Sequence, residues 1–134
     1  LADCGLPLEE GLVLCAGSYD IRDAYDAARR ALNAGADFTA LFAIADNMAI
    51  GAVSAIKAAG KTGKVLVVGY DNINAIKPML ADGRVLATAD QFGSQQAVFG
   101  IETVLKALAQ KKKQADLGGV IETKVELVAK GAKS

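Results

Sequence analysis

The sequence predicts an α/β fold, a doubly wound, mostly parallel sheet with helices on both faces. Two observations support this class: short apolar runs alternate with segments of helical periodicity, and most of the helical segments end at a glycine. Repeated strand–helix units give parallel strands, since each right-handed crossover returns the chain to the same edge of the sheet.

The first two strand–helix units are predicted between residues 11 and 60. The run GLVLCAG at 11–17 indicates a strand, and the next strand is FTALFAI at 38–44. Asp46 then has the position and side chain of an N-cap for the helix that ends at Gly60. The helix between the two strands ends at Gly35 and places its apolar residues on one face: Ile21, Ala24, Tyr25, Ala28 and Leu32.

The second half continues the alternation. KVLVVGY at 64–70 is the most apolar predicted strand, and a short helix with Pro78 early in it follows. RVLATAD at 84–90 predicts a fourth strand, and a longer helix is predicted at 94–110. The alternation in GGVIETKVELVAK predicts a final strand with one polar face.

Composition excludes several functions. The chain has 134 residues, of which 15 are basic and 15 acidic, so the net charge gives no electrostatic reason to expect nucleic acid or an anionic membrane as a partner. There is no histidine, which argues against Cys/His metal sites and histidine-assisted catalysis. No phosphate-binding glycine motif opens a helix either. For these two reasons the sequence predicts neither a metal nor a cofactor. Cys4 and Cys15 are expected to be free thiols that pack as small apolar side chains.

The carboxyl ends of the predicted strands carry the candidate site, because ligands bind at this edge of doubly wound sheets. The candidates there combine an aromatic ring, a carboxylate and amides, which suit a polyhydroxylated ligand. They are Tyr19, Ala45, Asp71, Asn72 and Gln91. Local pattern leaves alternatives open: Asp71 is equally well explained as a helix cap, and Tyr19 taken alone as a packing residue.

Three segments carry a family resemblance. ADNMAIGA, GYD and ATADQ, together with the tail VELVAK, resemble the carboxy-terminal part of type I periplasmic sugar-binding proteins, the ribose-binding protein family. The resemblance implies a protein that captures a monosaccharide or polyol between two lobes and delivers it to an ABC permease, without chemistry on the sugar. It also implies a periplasmic location, or an extracellular and membrane-anchored one in a Gram-positive source, with the membrane approached only through the permease.

The resemblance also assigns residues. It implies that Asp71 accepts hydrogen bonds from sugar hydroxyls, that Gln91 contacts the ligand at a hinge crossing, and that Tyr19 forms an aromatic wall. Ala45 stands where the family has an asparagine, so one expected sugar contact is missing. The sugar is therefore expected to differ from ribose, as another pentose, a hexose or a polyol.

The resemblance further implies an incomplete protein. Residues 1–91 would form the carboxy-terminal lobe without its opening strand, residues 92–119 a crossover and a helix that packs on the absent lobe, and residues 120–134 the return strand and tail. The apolar face of the helix at 94–110 would then be exposed, so we expect a fragment or a chain that pairs with a second copy.

Two other classes of protein are alternatives. The sugar-sensing core of LacI-type transcriptional repressors shares this lobe and is the alternative function, although no helix-turn-helix is evident. An enzyme is disfavoured, because the sequence has no histidine, no nucleophile elbow and no dinucleotide fingerprint.

Overall fold

The structure is a computed structural model that describes residues 13–120 and 122–131. The described residues form four α-helices and four β-strands, with short 3₁₀ turns at Asn74–Ile76 and Gln114–Asp116. In chain order the elements are α1 (Ile21–Asn33), β1 (Ala40–Phe42), α2 (Asp46–Ala58), β2 (Leu66–Tyr70), α3 (Lys77–Asp82), β3 (Ala87–Asp90), α4 (Gly93–Ala109) and β4 (Glu126–Ala129).

The four strands make one mixed sheet in the order β1-β2-β3-β4. The first three strands are parallel, with Val68 opposite Phe42 on one side and Ala87 on the other. The last strand returns antiparallel to β3, with Val128 opposite Thr88. The predicted class, a mostly parallel α/β sheet, is confirmed.

Helices α2 and α3 lie on one face of this sheet, and α1 packs against α2. Two successive crossovers run in the same direction, from β1 to β2 to β3, and right-handed crossovers in one direction place α2 and α3 on the same side. The buried core lies there and includes Ile56, Val67 and Ile76. On the other side Phe42 is 64% exposed and Leu66 53% exposed. Within the described residues, the expected helical cover is therefore present on one face only.

The strand predicted at 11–17 does not form in its described part. Residues 13–17 have no strand assignment, and Val13 and Leu14 are exposed; residues 11 and 12 lie outside the described residues. An apolar run becomes a strand only where a neighbouring strand accepts its backbone hydrogen bonds, and the described sheet pairs this run with nothing. Cys15 is an exposed free thiol, so its predicted burial was wrong, and Cys4 lies outside the described residues.

Helix α1 buries most of the apolar face predicted for it, but Ile21, at its first position, is 42% exposed. In α1 the small residues Ala24 and Ala28 and the larger Leu32 are buried, and Asp20 caps the helix by accepting from the Arg22 backbone N–H at 2.7 Å. In α4 only Ala107 is buried.

Among the described residues, no helix is both long and apolar enough to cross a membrane.

The apolar side of α4 faces solvent. Its large side chains are between 47% and 68% exposed, namely Val98, Phe99, Ile101, Val104, Leu105 and Leu108. A stripe of this kind on a helix is typical of a surface that packs against another element.

Gly51 sets the distance between α1 and α2. A Cβ at this position would overlap the backbone oxygen of Ile21 and lie 2.9 Å from the backbone nitrogen of Tyr25. Because these obstacles are main-chain atoms, the two helices would have to separate. We expect Gly51→Ala to reduce the free energy of unfolding by about 2 kcal/mol, measured by urea denaturation.

Gly100 in the middle of α4 provides the matched control, since a Cβ there would meet no atom within 4 Å. Gly100→Ala should leave stability unchanged or raise it by up to about 1 kcal/mol, because alanine has the higher helix propensity. Equal effects of the two substitutions would show that helix contact is not what requires a glycine at 51.

Candidate functional site

The turn after β2 has an unusual backbone. Asp71 has a φ of 110° and Asn72 a φ of 53°, two consecutive non-glycine residues in a region that L-amino acids rarely adopt. Asparagine tolerates this conformation better than most residues, whereas aspartate at 110° is strained. Such strain persists only where surrounding contacts determine the backbone, and it is concentrated at functional sites.

Asp46 supplies the buried anchor for this turn. Its carboxylate is fully buried and accepts from the Thr88 hydroxyl at 2.7 Å and from the Ile73 backbone N–H at 2.9 Å. The Thr88 oxygen in turn accepts from the Asn72 backbone N–H at 3.3 Å. One carboxylate at the start of α2 thus fixes the chain that follows β2 and joins it to β3.

The predicted role of Asp46 as the N-cap of its own helix was wrong. The cap position belongs to Ala45, which makes no side-chain hydrogen bond, and Asp46 is the first residue of α2. Burial raises the pKa of the Asp46 carboxyl, and the hydrogen bonds from Thr88 and Ile73 partly oppose that rise. Its physical task is to satisfy donors of the neighbouring strand and loop.

Gly69 makes room for this anchor. A Cβ at Gly69 would overlap the Asp46 Oδ1 atom, so β2 can approach the carboxylate only with a glycine at this position. The glycine in VVGY was therefore a sequence signal for a close approach, and the sequence reasoning did not use it.

Asp71 and Gln91 form the polar pair at the open edge. The Gln91 Nε2 donates to Asp71 Oδ1 at 2.7 Å, and both side chains are half-buried. The alternative that Asp71 caps the next helical turn is wrong, since that turn begins after Ile73 without a side-chain cap bond. Asp71 is thus a carboxylate with unused acceptor capacity beside an amide, at the carboxyl ends of β2 and β3.

Asp90 connects the turns after β2 and β3. One carboxylate oxygen accepts from the Asn72 Nδ2 at 2.9 Å, and the other accepts from the Phe92 backbone N–H at 2.8 Å. These two hydrogen bonds, that from Asn72 first, lower the pKa of the Asp90 carboxyl. Phe92, at the N-terminus of α4, also has a positive φ, of 53°.

The remaining predicted residues lie apart from this network. Tyr19 is 66% exposed in the bend before α1, and no hydrogen bond within the described residues joins it to Asp71 or Gln91. Ala45 is buried beyond β1, beside Asp46. Asn72 directs its Nδ2 to Asp90, while its Oδ1 is buried and has no hydrogen-bond partner within the described part of the chain.

The fold and the site define a class: a parallel α/β domain whose strand tips present a carboxylate–amide pair held by buried polar contacts. Residues 7–113 match the family model described as "Periplasmic binding protein domain". The chain therefore belongs to the periplasmic binding protein family, as the resemblance predicted.

Several known proteins are similar to this chain. It is 57% identical over 115 residues to the D-ribose/D-allose-binding protein of Pseudomonas aeruginosa, covering 86% of this chain and 36% of that protein. A solute-binding protein of an ABC transporter from Burkholderia multivorans, with an unknown ligand built as α-D-erythrofuranose, is 60% identical with a TM-score of 0.79, over 84% of this chain and 39% of that one. A second, from Actinobacillus succinogenes with bound D-allose, is 33% identical with a TM-score of 0.74, over 84% and 38%.

The chain thus spans only about a third of the length of the Pseudomonas protein that it matches. A LacI-family regulator from Sanguibacter keddieii shares the fold, with a TM-score of 0.84 over 98% of this chain and 49% of that one, at 22% identity. That likeness concerns the fold alone and does not favour the regulatory alternative.

Proposed function

We propose that this chain forms the sugar-binding edge of a periplasmic solute-binding protein that delivers a monosaccharide to an ABC permease. The observation that carries the proposal is the strained, tethered turn that places the Asp71 carboxylate against Gln91 at the carboxyl edge of the sheet. The protein binds and releases its ligand without chemistry, in keeping with relatives that are named as binding proteins.

A sugar suits this edge for a chemical reason. The Asp71 carboxylate accepts one hydrogen bond from Gln91 and has further lone pairs for two adjacent hydroxyls. The Gln91 amide oxygen is a further acceptor for a ligand hydroxyl. In a site closed to water these charge-assisted hydrogen bonds are stronger than neutral ones, and they orient the ring.

The sugar that we propose is an aldose with the hydroxyl configuration shared by D-ribose and D-allose. Support comes from the relatives, one named for both sugars and another solved with D-allose. The relative that is 57% identical to this chain is named for both sugars, so the expectation from Ala45 that the sugar differs from ribose is not kept. Without an amide at position 45, recognition would rest on Asp71 and Gln91.

The second half of the binding cleft is proposed to come from another lobe. The exposed apolar side of α4 then packs on that lobe, and β4 returns to the sheet after it, so residues 92–119 act as crossover and helix. Tyr19 is proposed as part of the aromatic wall of the cleft. A ligand that bridges the lobes stabilises the closed form through contacts that the open form lacks.

Isothermal titration calorimetry on the complete product of the gene tests the function. D-allose and D-ribose should bind one per protein, and D-glucose, the C3 epimer of D-allose, should bind at least tenfold more weakly, because a misplaced hydroxyl leaves a buried acceptor unpaired. The chain of 134 residues alone should bind these sugars far more weakly. Absence of binding by every aldose tested on the complete product would refute the proposal.

A further inference from the structure

We infer that Asp90 is a positioning residue for the ligand-facing pair Asp71–Gln91, and that Asn72 acts with it instead of contacting the ligand. This inference rests on the proposed function for its ligand, but its structural part concerns the described chain alone. The inference rests on two hydrogen bonds of the Asp90 carboxylate. One oxygen accepts from the turn after β2, and the other accepts from the turn after β3.

The first turn depends on Asp90 through a side chain. Asn72 has a φ of 53°, follows the strained Asp71, and donates its Nδ2 to Asp90 at 2.9 Å. The other polar atom of this side chain, Oδ1, is buried. The amide is therefore directed into the protein and not toward a ligand. The hydrogen bond holds Asn72 in the left-handed region and thereby fixes the direction in which Asp71 leaves β2.

The second turn depends on Asp90 through the backbone. Its other oxygen accepts from the Phe92 N–H at 2.8 Å, which closes a turn around Gln91 at a residue with a φ of 53°. Gln91 lies between these two hydrogen-bonded residues, and its backbone oxygen also accepts from the Gln96 Nε2 at 2.9 Å. Asp90 therefore orients both members of the pair without itself facing the ligand.

Four variants of the complete protein, Asp90→Ala, Asp90→Asn, Asn72→Ala and the double alanine, test this with D-allose and D-ribose as probes. Asp90→Ala should weaken binding about tenfold and Asn72→Ala about fivefold, since only the first also frees the Phe92 N–H. The double variant should bind no more weakly than Asp90→Ala, because both single variants remove the same hydrogen bond between Asn72 and Asp90. If the fold loss of affinity in the double variant equalled the product of the two single losses, each residue would act on the ligand separately. That result would overturn the inference.

Asp90→Asn separates positioning from a direct charge contact. An asparagine can still accept from Phe92, and its amide can donate to the free Oδ1 of Asn72 once that side chain flips. Binding by Asp90→Asn should stay within about threefold of wild type, since a hydrogen bond is retained. A loss as large as that of Asp90→Ala would show that the charge contacts the sugar, against the inference.

The control is Asp82→Ala. Asp82 also accepts from the backbone N–H two residues later, at 3.1 Å, but it precedes β3 at the opposite edge of the sheet. Sugar affinity should not change in this variant. If Asp82→Ala lost as much sugar affinity as Asp90→Ala, general destabilisation would explain both losses, against the inference.

Hydrogen exchange on the complete protein without sugar gives a readout that needs no ligand. Asp90→Ala should increase exchange of the Phe92 backbone amide at least tenfold more than exchange in α1, because this N–H loses its acceptor. Exchange of the Asn72 backbone amide should also increase, because that N–H keeps the Thr88 oxygen as acceptor but its residue loses the side-chain hydrogen bond to Asp90. Unchanged exchange at both amides would overturn the inference even if sugar binds. If wild type binds no sugar while this exchange pattern appears, the proposed function fails and the positioning role stands.

Discussion

Asp46→Ala should lower the free energy of unfolding by about 3 kcal/mol, the largest stability loss expected from a polar residue of the site. The substitution removes the acceptor for the Thr88 hydroxyl and for the Ile73 backbone N–H, in a place without solvent. Two buried donors would then be unsatisfied, and the turn that carries Asp71 would lose its anchor. Urea denaturation followed by circular dichroism measures the change.

Asp46→Asn tests whether the charge or the hydrogen bonds matter. The amide keeps an acceptor for Ile73 and can donate to the Thr88 oxygen, so the loss should be about 1 kcal/mol. Gly69→Ala should approach the effect of Asp46→Ala, because the added methyl occupies the space of the carboxylate. A stability loss below 1 kcal/mol for Asp46→Ala would contradict the anchoring role.

The pH dependence has a defined sign. Burial raises the pKa of Asp46 in the folded protein above its ordinary value of 3.8. The folded state therefore holds this proton more tightly than the unfolded state, and the resulting stabilisation is present below pH 3.8 and lost as pH rises through the folded pKa. Relative to wild type, Asp46→Asn should become more stable as pH rises from 3.5 to 7. A fixed difference across this range would mean that the folded and unfolded pKa values are equal.

The sequence predicted the order of the elements well, because hydrophobic periodicity and helix-ending glycines are local signals. All four strands of the described sheet and three of the four α-helices fall within predicted segments, and α4 begins one residue before its predicted segment. The exception is the run at 11–17, which has the composition of a strand, but pairing is not local: whether a strand forms depends on which backbone lies beside it.

The site was harder to predict, because its roles depend on contacts between segments distant in the sequence. The strand-tip rule predicted that Asp71 and Gln91 lie at one edge of the sheet, and their side chains meet there, while their role toward a ligand stays a prediction. The N-cap rule misassigned Asp46, because an acidic residue at the start of a helix can serve as a cap or as a buried acceptor for other segments, and the local pattern does not distinguish the two. Thr88 in an apolar strand and the glycine at 69 were the two available signals for that acceptor.

Asp71 is expected to show opposite effects on stability and binding. At a φ of 110° any residue with a Cβ is strained, so Asp71→Gly should relieve strain and offset the lost hydrogen bond from Gln91. Asp71→Ala loses that hydrogen bond and keeps the strain. The free energy of unfolding should therefore be about 1 kcal/mol higher for the glycine variant than for the alanine variant. This is the reverse of the usual order, in which alanine is the more stabilising residue.

Both variants should lose sugar binding equally, because neither has the carboxylate. We expect at least 30-fold weaker binding of D-allose or D-ribose by the complete protein, about 2 kcal/mol, since buried sugar hydroxyls would have no acceptor. Calorimetry and urea denaturation on the same samples separate the two quantities. If Asp71→Gly were more stable than Asp71→Ala and yet bound sugar like wild type, the strained turn would not serve the ligand. A higher stability of Asp71→Gly than of Asp71→Ala, together with an equal loss of affinity in both, is the result expected of a residue held in an unfavourable conformation for binding.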